Sequence, residues 1–236
     1  MANYIVCLAH FCELHGPSTI ICTQVAPLEQ ESLLLLPSNS KLQTCASCKF
    51  ILPDNSANLV TAERQEEGDR LFISSQYPTS QKRYSTLTKL VMKSLSVETT
   101  ANLPAPVFYG DDANGYCISK VFKIKDVNAR GAERKYSLMV ICDSETCLLA
   151  AWDLIGTYLN EIVSIIQDQV ILAVEDALRQ KRSGSNGDGS VLDNEHYLRR
   201  SMVRPRSLAE LTNDSQIFVK FHLWAMELLK DITRQA

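Results

Sequence analysis

Hydrophobic positions at the beginning of the chain predict a buried strand and a hairpin. From Asn3 to Phe11, apolar residues occupy both alternating sets of positions, which indicates a strand covered on both faces. The turn-forming segment His15–Ser18 follows, and Thr19–Ala26 alternates with more polar residues. We therefore expect a central first strand that pairs with an antiparallel second strand at an edge of the sheet.

Periodicity is weak from about residue 27 to residue 78, where Ser, Asn, Gln, Pro and Glu are frequent. This composition predicts a long, partly disordered insertion. A helical period returns between Thr79 and Val97, where we expect an amphipathic helix that packs on the sheet. Its apolar stripe consists of Tyr84, Leu87, Val91 and Leu95.

A three-stranded antiparallel meander is expected next. The segment Tyr116–Lys125 alternates and carries lysines on one side, which favours a position at an edge of the sheet. The segment Lys135–Cys142 is apolar at nearly every position, and Thr146–Ala151 follows a short turn. We expect these three segments to pair in sequence order.

Two helical regions complete the chain. A helix is predicted from Trp152 to about Arg182, and its apolar stripe is wider than packing on one sheet requires. A second helical region spans Ser207–Ile232, and the residues from about 183 to 206 predict a flexible linker.

The predicted elements follow the order β-β-α-β-β-β-α-α and indicate the α/β class. We expect one domain over residues 1–236, a longin-type α/β/α sandwich with a five-stranded, mainly antiparallel sheet. The 236 residues are 45% hydrophobic, which is sufficient for such a core. The net charge of -3 excludes a global basic excess, so we expect no nucleic-acid partner.

Neither a signal peptide nor a transmembrane helix is predicted. The N-terminus has no basic region, and the longest apolar candidate, Leu154–Val174, contains Glu161 and Asp168. Most of the eight cysteines lie in apolar runs, which is typical of core thiols in a reducing compartment. We therefore expect a soluble cytosolic protein.

One possible catalytic group lies in the first hairpin, where Cys12 has His10, Glu13 and His15 as neighbours. A thiol beside imidazoles is the basis of cysteine hydrolases. However, adjacent side chains diverge at the end of a strand, and no helix N-terminus follows Cys12. We do not favour this hypothesis, which a strongly lowered pKa of the Cys12 thiol would support.

A single CxxC motif, formed by Cys45 and Cys48, lies in the expected insertion. A structural zinc site needs four ligands, and Cys12, His10 or His15 could complete one in space. We expect two unligated thiols and no cofactor. Thioredoxin-like chemistry is disfavoured because that motif opens a helix after a parallel strand.

The loop around Arg130 is the main candidate for function. The sequence has no GxxxxGK[ST], GxGxxG, HExxH or GxSxG motif, so we expect no P-loop nucleotide site. Arg130 lies between two predicted strands and precedes Gly131. Such an arginine could reach another protein's site, as an arginine finger reaches a γ-phosphate, although similar loops also carry solvated arginines.

A basic stretch, Arg199–Arg206, lies in the expected linker. It could contact anionic lipid or an acidic partner, and Arg204–Ser207 could be phosphorylated by a basophilic kinase. A solvated linker is the expectation that we favour.

Several strings of this sequence resemble the folliculin family. HFCELHGP at residues 10–17 is the most specific, within a similar stretch over residues 5–23. The CxxC motif at 45–48, KLVMKSLSVE at 89–98 and FYGDDANGYCISKVFKIKDVNARGAERKYSL at 108–138 follow in the family's order. The similarity covers most of the chain up to the long helix and is only general over the last fifty residues.

The resemblance implies a non-enzymatic regulator. Folliculin-family proteins pair their longin domain with that of a folliculin-interacting protein, a longin/DENN protein. The complex acts at the vacuole or lysosome on Rag-type GTPase heterodimers that report amino acids to TOR signalling. In this family the arginine of the KDxxARG-like stretch resembles an arginine finger, and that position is Arg130 here.

Larger family members carry a DENN-type module after the longin domain, and this chain ends at Ala236. We therefore expect either a truncated piece of a longer protein or a short fungal member, and we favour the short fungal member. By this resemblance, the chain is cytoplasmic and is recruited to the vacuolar or lysosomal membrane through its partners. We expect the Tyr116–Lys125 strand or the Thr79–Val97 helix to form the partner interface. The alternative is a non-catalytic longin scaffold or adaptor in membrane trafficking of nutrient permeases, and replacement of Arg130 distinguishes the two.

Overall fold

A computed structural model describes residues 3–28, 31–37, 45–52, 56–64, 69–96, 105–184 and 204–235. These residues form a mixed α/β fold around one seven-stranded sheet in which every neighbouring pair is antiparallel. The strands are β1 (Tyr4–Cys12), β2 (Gly16–Pro27), β3 (Asn58–Glu63), β4 (Arg70–Ser75), β5 (Val107–Asp111), β6 (Gly115–Lys125) and β7 (Glu133–Cys142). Their order across the sheet is β3-β4-β2-β1-β7-β6-β5.

The helices in the described residues are α1 (Glu31–Leu34), α2 (Gln81–Ser94), α3 (Glu145–Ala150), α4 (Trp152–Gly184), α5 (Leu208–Thr212) and α6 (Ile217–Gln235). Short 3-10 turns occupy Ala46–Cys48 and Arg130–Ala132. The helix predicted from Trp152 to about Arg182 is confirmed as α4. None of the helices in the described ranges has both the length and the apolar character that a membrane crossing requires.

Helices cover the sheet on both faces, because β1 is apolar at both alternating sets of positions. Tyr4, Val6 and Leu8 belong to one buried core with α4, α5 and α6, whereas Ile5 and Cys7 belong to a second core with α2. The expectation of a first strand covered on both faces is therefore confirmed. The apolar stripe of α4 that reaches the sheet consists of Ile155, Leu159, Ile162, Ile166 and Val170, all buried.

The predicted number of five strands is wrong, since the described residues alone form seven. The segment from 27 to 78, expected to be an insertion, supplies β3 and β4, and Val107–Asp111 supplies a further strand. The predicted strand at Thr146–Ala151 is instead the helix α3, which begins after Ser144, whose side chain accepts a hydrogen bond from the backbone N–H of Cys147. Four of the five expected strands remain, as β1, β2, β6 and β7.

The edge positions predicted for the second and third strands are also wrong. β4 pairs with the outer side of β2, and β5 pairs with residues Gly115–Ser119 of β6. Among the described residues, the later part of β6, Lys120–Lys125, pairs with β7 alone. The lysine-bearing half of β6 is therefore an edge, although the strand as a whole is not.

Candidate functional site: the Arg130 loop and the Cys/His cluster

Arg130 lies in a short loop that connects β6 to β7 and is closed by its own backbone. The N–H of Asp126 donates to the carbonyl of Ala132, and the N–H of Ala129 donates to the carbonyl of Asp126, each at 2.9 Å. Gly131 and Ala132 both adopt left-handed conformations, with φ of 76° and 59°. This conformation disfavours a residue with a side chain, so the surrounding contacts hold Ala132 in place.

The buried carboxylate of Asp126 anchors the loop on its inner side. It accepts a hydrogen bond from Nε of Arg134 at 2.5 Å and another from Nη2 of Arg206. Burial opposes ionisation of Asp126, but the hydrogen bonds from Arg206 and Arg134 more than offset this and lower its pKa. The loop that carries Arg130 therefore rests on a buried carboxylate between two guanidinium groups.

The side chain of Arg130 is exposed, whereas its backbone is held. Its N–H donates to Oε1 of Glu13 at 2.6 Å, and Glu13 lies in the turn between β1 and β2. Within the described residues, no carboxylate forms an ion pair with the Arg130 guanidinium. The position thus combines a fixed backbone with a charged side chain directed to solvent, as the arginine-finger hypothesis requires.

Four predicted candidates come together at the β1–β2 turn that also contains Glu13. Sγ of Cys12 lies 3.5 Å from Sγ of Cys45 and 3.7 Å from Nδ1 of His15. Sγ of Cys48 lies 3.6 Å from Sγ of Cys45 and 3.4 Å from Nδ1 of His15. All four ligand atoms lie within 4.8 Å of one another, and all three cysteines are free thiols. We call Cys12, His15, Cys45 and Cys48 the Cys/His cluster.

Local contacts hold the Cys45–Cys48 turn against the hairpin. The N–H of Cys48 donates to the carbonyl of Cys45 at 3.1 Å, and Nε2 of Gln76 donates to the carbonyl of Cys48 at 3.0 Å. Immediately after the turn, the buried ring of Phe50 packs edge-on against Phe218, with ring centroids 5.4 Å apart. This segment, expected to be a loose insertion, is therefore held by Gln76 at Cys48 and anchored in the core at Phe50, directly after the sulfur atoms.

The pKa of the Cys12 thiol is strongly lowered, first because the Cys48 thiol donates a hydrogen bond to it, with burial opposing. The same interaction raises the pKa of Cys48. A lowered pKa is one requirement for a nucleophile, but Cys12 is only 1% exposed and its main partner is another thiol. A substrate carbonyl would have no access to this sulfur, so the geometry does not favour the hydrolase hypothesis.

His10 does not complete a catalytic pair either. Its Nε2 lies 3.1 Å from Sγ of Cys48, and the ring is fully buried. Burial lowers the pKa of His10 to about 4. The imidazole is therefore neutral at physiological pH and packs beside the cluster, 5.6 Å from the ring of Tyr136.

The basic stretch at Arg199–Arg206 is only partly described, because Arg199 and Arg200 lie outside the described residues, as does most of the linker expected at 183–206. Arg206 contacts Asp126, and Arg204 forms an exposed ion pair with Glu210 at 3.2 Å. Sequence reasoning missed the supporting roles of Asp126 and Arg206, which are 80 positions apart in the chain.

Exposed apolar side chains remain on α2, which was predicted as a candidate partner interface, and on α4, whose predicted apolar stripe was wider than packing on one sheet requires. On α2, the predicted stripe is buried at Leu87, Val91 and Leu95, while Tyr84 is exposed. On α4, a second group of large apolar side chains faces solvent: Ile165, Ile171, Leu172, Val174 and Leu178. A groove lies between the later part of α4 and the lysine-bearing half of β6, with Ile124, Val170 and Ile171 among its lining residues.

Fold and site together define a class: a mixed α/β protein in which an exposed arginine loop adjoins a Cys/His cluster at one end of an antiparallel sheet. A family model described as "Folliculin: Vesicle coat protein involved in Golgi to plasma membrane transport" matches residues 70–232. The chain belongs to the folliculin family, as the resemblance implied.

Similar proteins include short and long relatives. "Protein LST7" of Saccharomyces cerevisiae is 29% identical over 248 residues, which cover 100% of this chain and 98% of the relative. "Folliculin" of Homo sapiens is 26% identical, with 97% of this chain but 45% of the relative covered. "Folliculin-like protein bhd1" of Schizosaccharomyces pombe is 30% identical over 64% of this chain and 45% of its own length. The chain thus spans nearly the whole of one relative and less than half of the others.

Proposed function

We propose that this chain is a subunit of a heterodimeric GTPase-activating complex, and that its domain is of longin type. Its partner would be a longin/DENN protein that resembles folliculin-interacting proteins. The substrate of the complex would be a Rag-type GTPase heterodimer in amino-acid and TOR signalling at the vacuole or lysosome. The chain would supply an arginine without turning over a substrate of its own.

The proposal rests on one observation: Arg130 has an exposed side chain on a backbone that is held in place. Its guanidinium is exposed, while the loop below it is fixed by Glu13 and by the buried Asp126. An arginine supplied in trans neutralises charge that develops on the γ-phosphate and accelerates hydrolysis by about 10³- to 10⁵-fold. A fixed backbone supports such a role, because a misplaced donor contributes little to stabilising the transition state.

Two surfaces support the heterodimer. The backbone of Lys120–Lys125 has a strand partner on one side only among the described residues, so a strand of another protein could pair there. The neighbouring exposed side chains of α4, including Ile171 and Val174, would be covered by the same partner. A partner on the Tyr116–Lys125 strand therefore fits these contacts better than one on α2 alone.

The test is single-turnover GTP hydrolysis by a Rag-type heterodimer, with the partner longin protein and either this chain or a variant. We expect Arg130→Ala to abolish stimulation while the complex still assembles, as measured by size-exclusion chromatography. Arg130→Lys should also fail, because an ammonium group cannot reproduce the planar, bidentate geometry of a guanidinium.

Arg234→Ala is the matched control. Arg234 is an exposed arginine at the end of α6. Residues near it contact β3 and β4, which lie at the opposite edge of the sheet from the Arg130 loop. We expect this variant to stimulate like the wild type. Equal stimulation by Arg130→Ala would contradict the arginine-finger role and leave the chain as a scaffold.

A second candidate function is a non-catalytic adaptor in membrane trafficking of nutrient permeases. The description of the matching family, which names Golgi to plasma membrane transport, favours it. An adaptor needs the partner surfaces but not Arg130. The Arg130→Ala variant would then retain transport function in cells, whereas under the first proposal it would lose amino-acid signalling.

A further inference from the structure

The four ligand atoms of the Cys/His cluster have the spacing of a tetrahedral metal site. With Zn–S of about 2.3 Å and Zn–N of about 2.05 Å, a tetrahedron places two sulfurs about 3.8 Å apart and a sulfur and a nitrogen about 3.6 Å apart. Two of the three sulfur–sulfur distances are 3.5 and 3.6 Å, two of the three sulfur–nitrogen distances are 3.4 and 3.7 Å, and all six pairs lie within 4.8 Å. The four atoms therefore need only small shifts to coordinate one ion.

A disulfide does not account for this arrangement. A disulfide joins two sulfurs at about 2.05 Å, far shorter than either distance within the cluster. Three thiols and an imidazole instead converge from two turns, each of which offers two ligands three residues apart: Cys12 with His15, and Cys45 with Cys48. Paired ligands at this spacing are characteristic of structural zinc sites, which are closed by four protein ligands.

Groups around the cluster provide hydrogen bonds that suit metal-bound thiolates. The N–H of Leu14 lies 3.4 Å from Sγ of Cys12, and Oγ of the buried Ser47 lies 3.0 Å from Sγ of Cys45. Nε2 of His10 lies 3.1 Å from Sγ of Cys48, where a protonated Nε2 would donate. Each sulfur thus has its own polar neighbour, and such outer contacts orient and tune metal ligands.

We propose that Cys12, His15, Cys45 and Cys48 bind one Zn²⁺ ion as a structural site. Three thiolates and one imidazole in a tetrahedron select zinc over the hard cations, which prefer oxygen ligands. No coordination position remains open for a substrate or water, so the ion has a structural role. It ties the tip of the β1–β2 hairpin to the Cys45–Cys48 turn, and this inference does not depend on the proposed GTPase-activating function.

The first measurement is the metal content of the full chain, purified without metal-affinity resin or chelators. We expect about one zinc ion per chain by mass spectrometry of the metals, as a closed four-ligand site requires. Exchange with Co²⁺ should produce the visible absorption bands of tetrahedral cobalt together with thiolate-to-cobalt charge-transfer bands. The intensity of the latter reports the number of thiolates and should correspond to three.

Variants test the identity of the ligands. We expect Cys45→Ser and His15→Ala to weaken zinc binding by more than about 100-fold, because even the loss of an outer contact weakens a site by about 10- to 100-fold. Cys147→Ser is the matched control, since Cys147 is a partly buried free thiol in α3 that lies outside the cluster. It should keep the zinc content and the cobalt spectrum of the wild type.

Measurements on the wild-type chain can contradict the proposal by themselves. The test therefore does not depend on whether every variant folds. A metal-free wild-type chain that also produces no tetrahedral cobalt spectrum would show that the cluster is a group of hydrogen-bonded thiols. Loss of zinc from Cys147→Ser to the same extent as from Cys45→Ser, with both variants folded by circular dichroism, would contradict the assigned ligands.

Discussion

The carboxylate of Asp126 packs against the loop that contains Arg130 and accepts hydrogen bonds from Arg134 and Arg206. The side chain of Asp126 is fully buried, and that of Arg134 is 5% exposed. Removing one member of a buried ion pair leaves the other charge without compensation in a medium that solvates it poorly. Asp126 therefore affects both the stability of the chain and the position of Arg130.

We expect Asp126→Asn to lower the free energy of unfolding by about 3–5 kcal/mol, since Arg134 loses its buried counter-charge. Urea denaturation at pH 7 measures the change. Glu161→Gln is the control, because Glu161 is an exposed acid on α4. An Asp126→Asn variant as stable as this control would contradict the anchoring role.

The effect of Asp126→Asn on the free energy of unfolding should depend on pH. The pKa of Asp126 is lower in the folded chain than in the unfolded chain, so its stabilising contribution is complete above the unfolded value of about 3.9. The contribution is lost as the pH falls through the folded pKa. The difference in stability between wild type and Asp126→Asn should therefore shrink as urea denaturation is repeated from pH 7 down towards pH 3.

Among the elements, α6 docks on the sheet through a buried polar contact. Nδ1 of His222 lies 2.7 Å from Oγ of Ser74 in β4, and Nε2 lies 2.9 Å from Oγ1 of Thr61 in β3. Burial lowers the pKa of His222 to about 4. The neutral ring is thus the form that is compatible with this helix packing.

Because the folded pKa of His222 lies below the unfolded value of about 6.5, the unfolded chain binds this proton first as the pH falls. We expect the free energy of unfolding to drop by roughly 2 kcal/mol from this group between pH 7.5 and pH 5. His222→Gln should remove that part of the pH dependence, as chemical denaturation at both pH values would measure. Identical pH profiles for the two proteins would contradict the assignment.

The elements that sequence patterns predicted best are the long and strongly periodic ones, β1, β7 and α4. The short elements were predicted poorly, because five or six residues carry little periodicity. Strand β3 is half exposed throughout, and the apolar run at Thr146–Ala151 suits a strand or a helix equally well until the N-cap at Ser144 is recognised. Strand β4 is only six residues long, and its position between β2 and β3 depends on tertiary pairing that no local pattern encodes.

The candidate site was predicted in parts but not as a whole. The spacing of Cys12 with His15, and of Cys45 with Cys48, was visible in the sequence. The two pairs come into contact because the chain returns to the hairpin after more than thirty residues. No local sequence pattern encodes this return. The expectation of unligated thiols rested on the single CxxC motif, which offers two of the four ligands that a structural zinc site needs, and on the interpretation of its segment as a loose loop.

In the whole molecule, α4 extends beyond the body on which it packs. Among its residues with described side chains, none is buried after Val170, and the ten residues that follow extend the helix by about 15 Å. Ile171, Leu172 and Leu178 are 48%, 59% and 52% exposed along this part. A helix with this much exposed apolar surface is more stable in an assembly than alone.

We expect Ile171→Glu combined with Leu178→Glu to weaken assembly with the proposed longin partner by at least about tenfold, because charges would replace apolar contacts in the proposed interface. Isothermal titration calorimetry measures the affinity. The control is Leu223→Glu, which changes an apolar residue on α6 that is 47% exposed. An unchanged affinity of the double variant would move the interface away from α4, and similar unfolding curves for all three chains would exclude a folding defect.

The hydrogen bond between Glu13 and the Arg130 backbone has a kinetic consequence. Ordering each backbone residue costs about 1–2 kcal/mol of conformational entropy, so a mobile Arg130–Ala132 turn would add about 3–6 kcal/mol to the barrier of any docking event that must order it. Here that entropy is lost once, when the chain folds. Under the proposed function, a GTPase would find the arginine backbone already in place, and the frequency of productive encounters would depend on collision and orientation rather than on the time that the loop needs to become ordered.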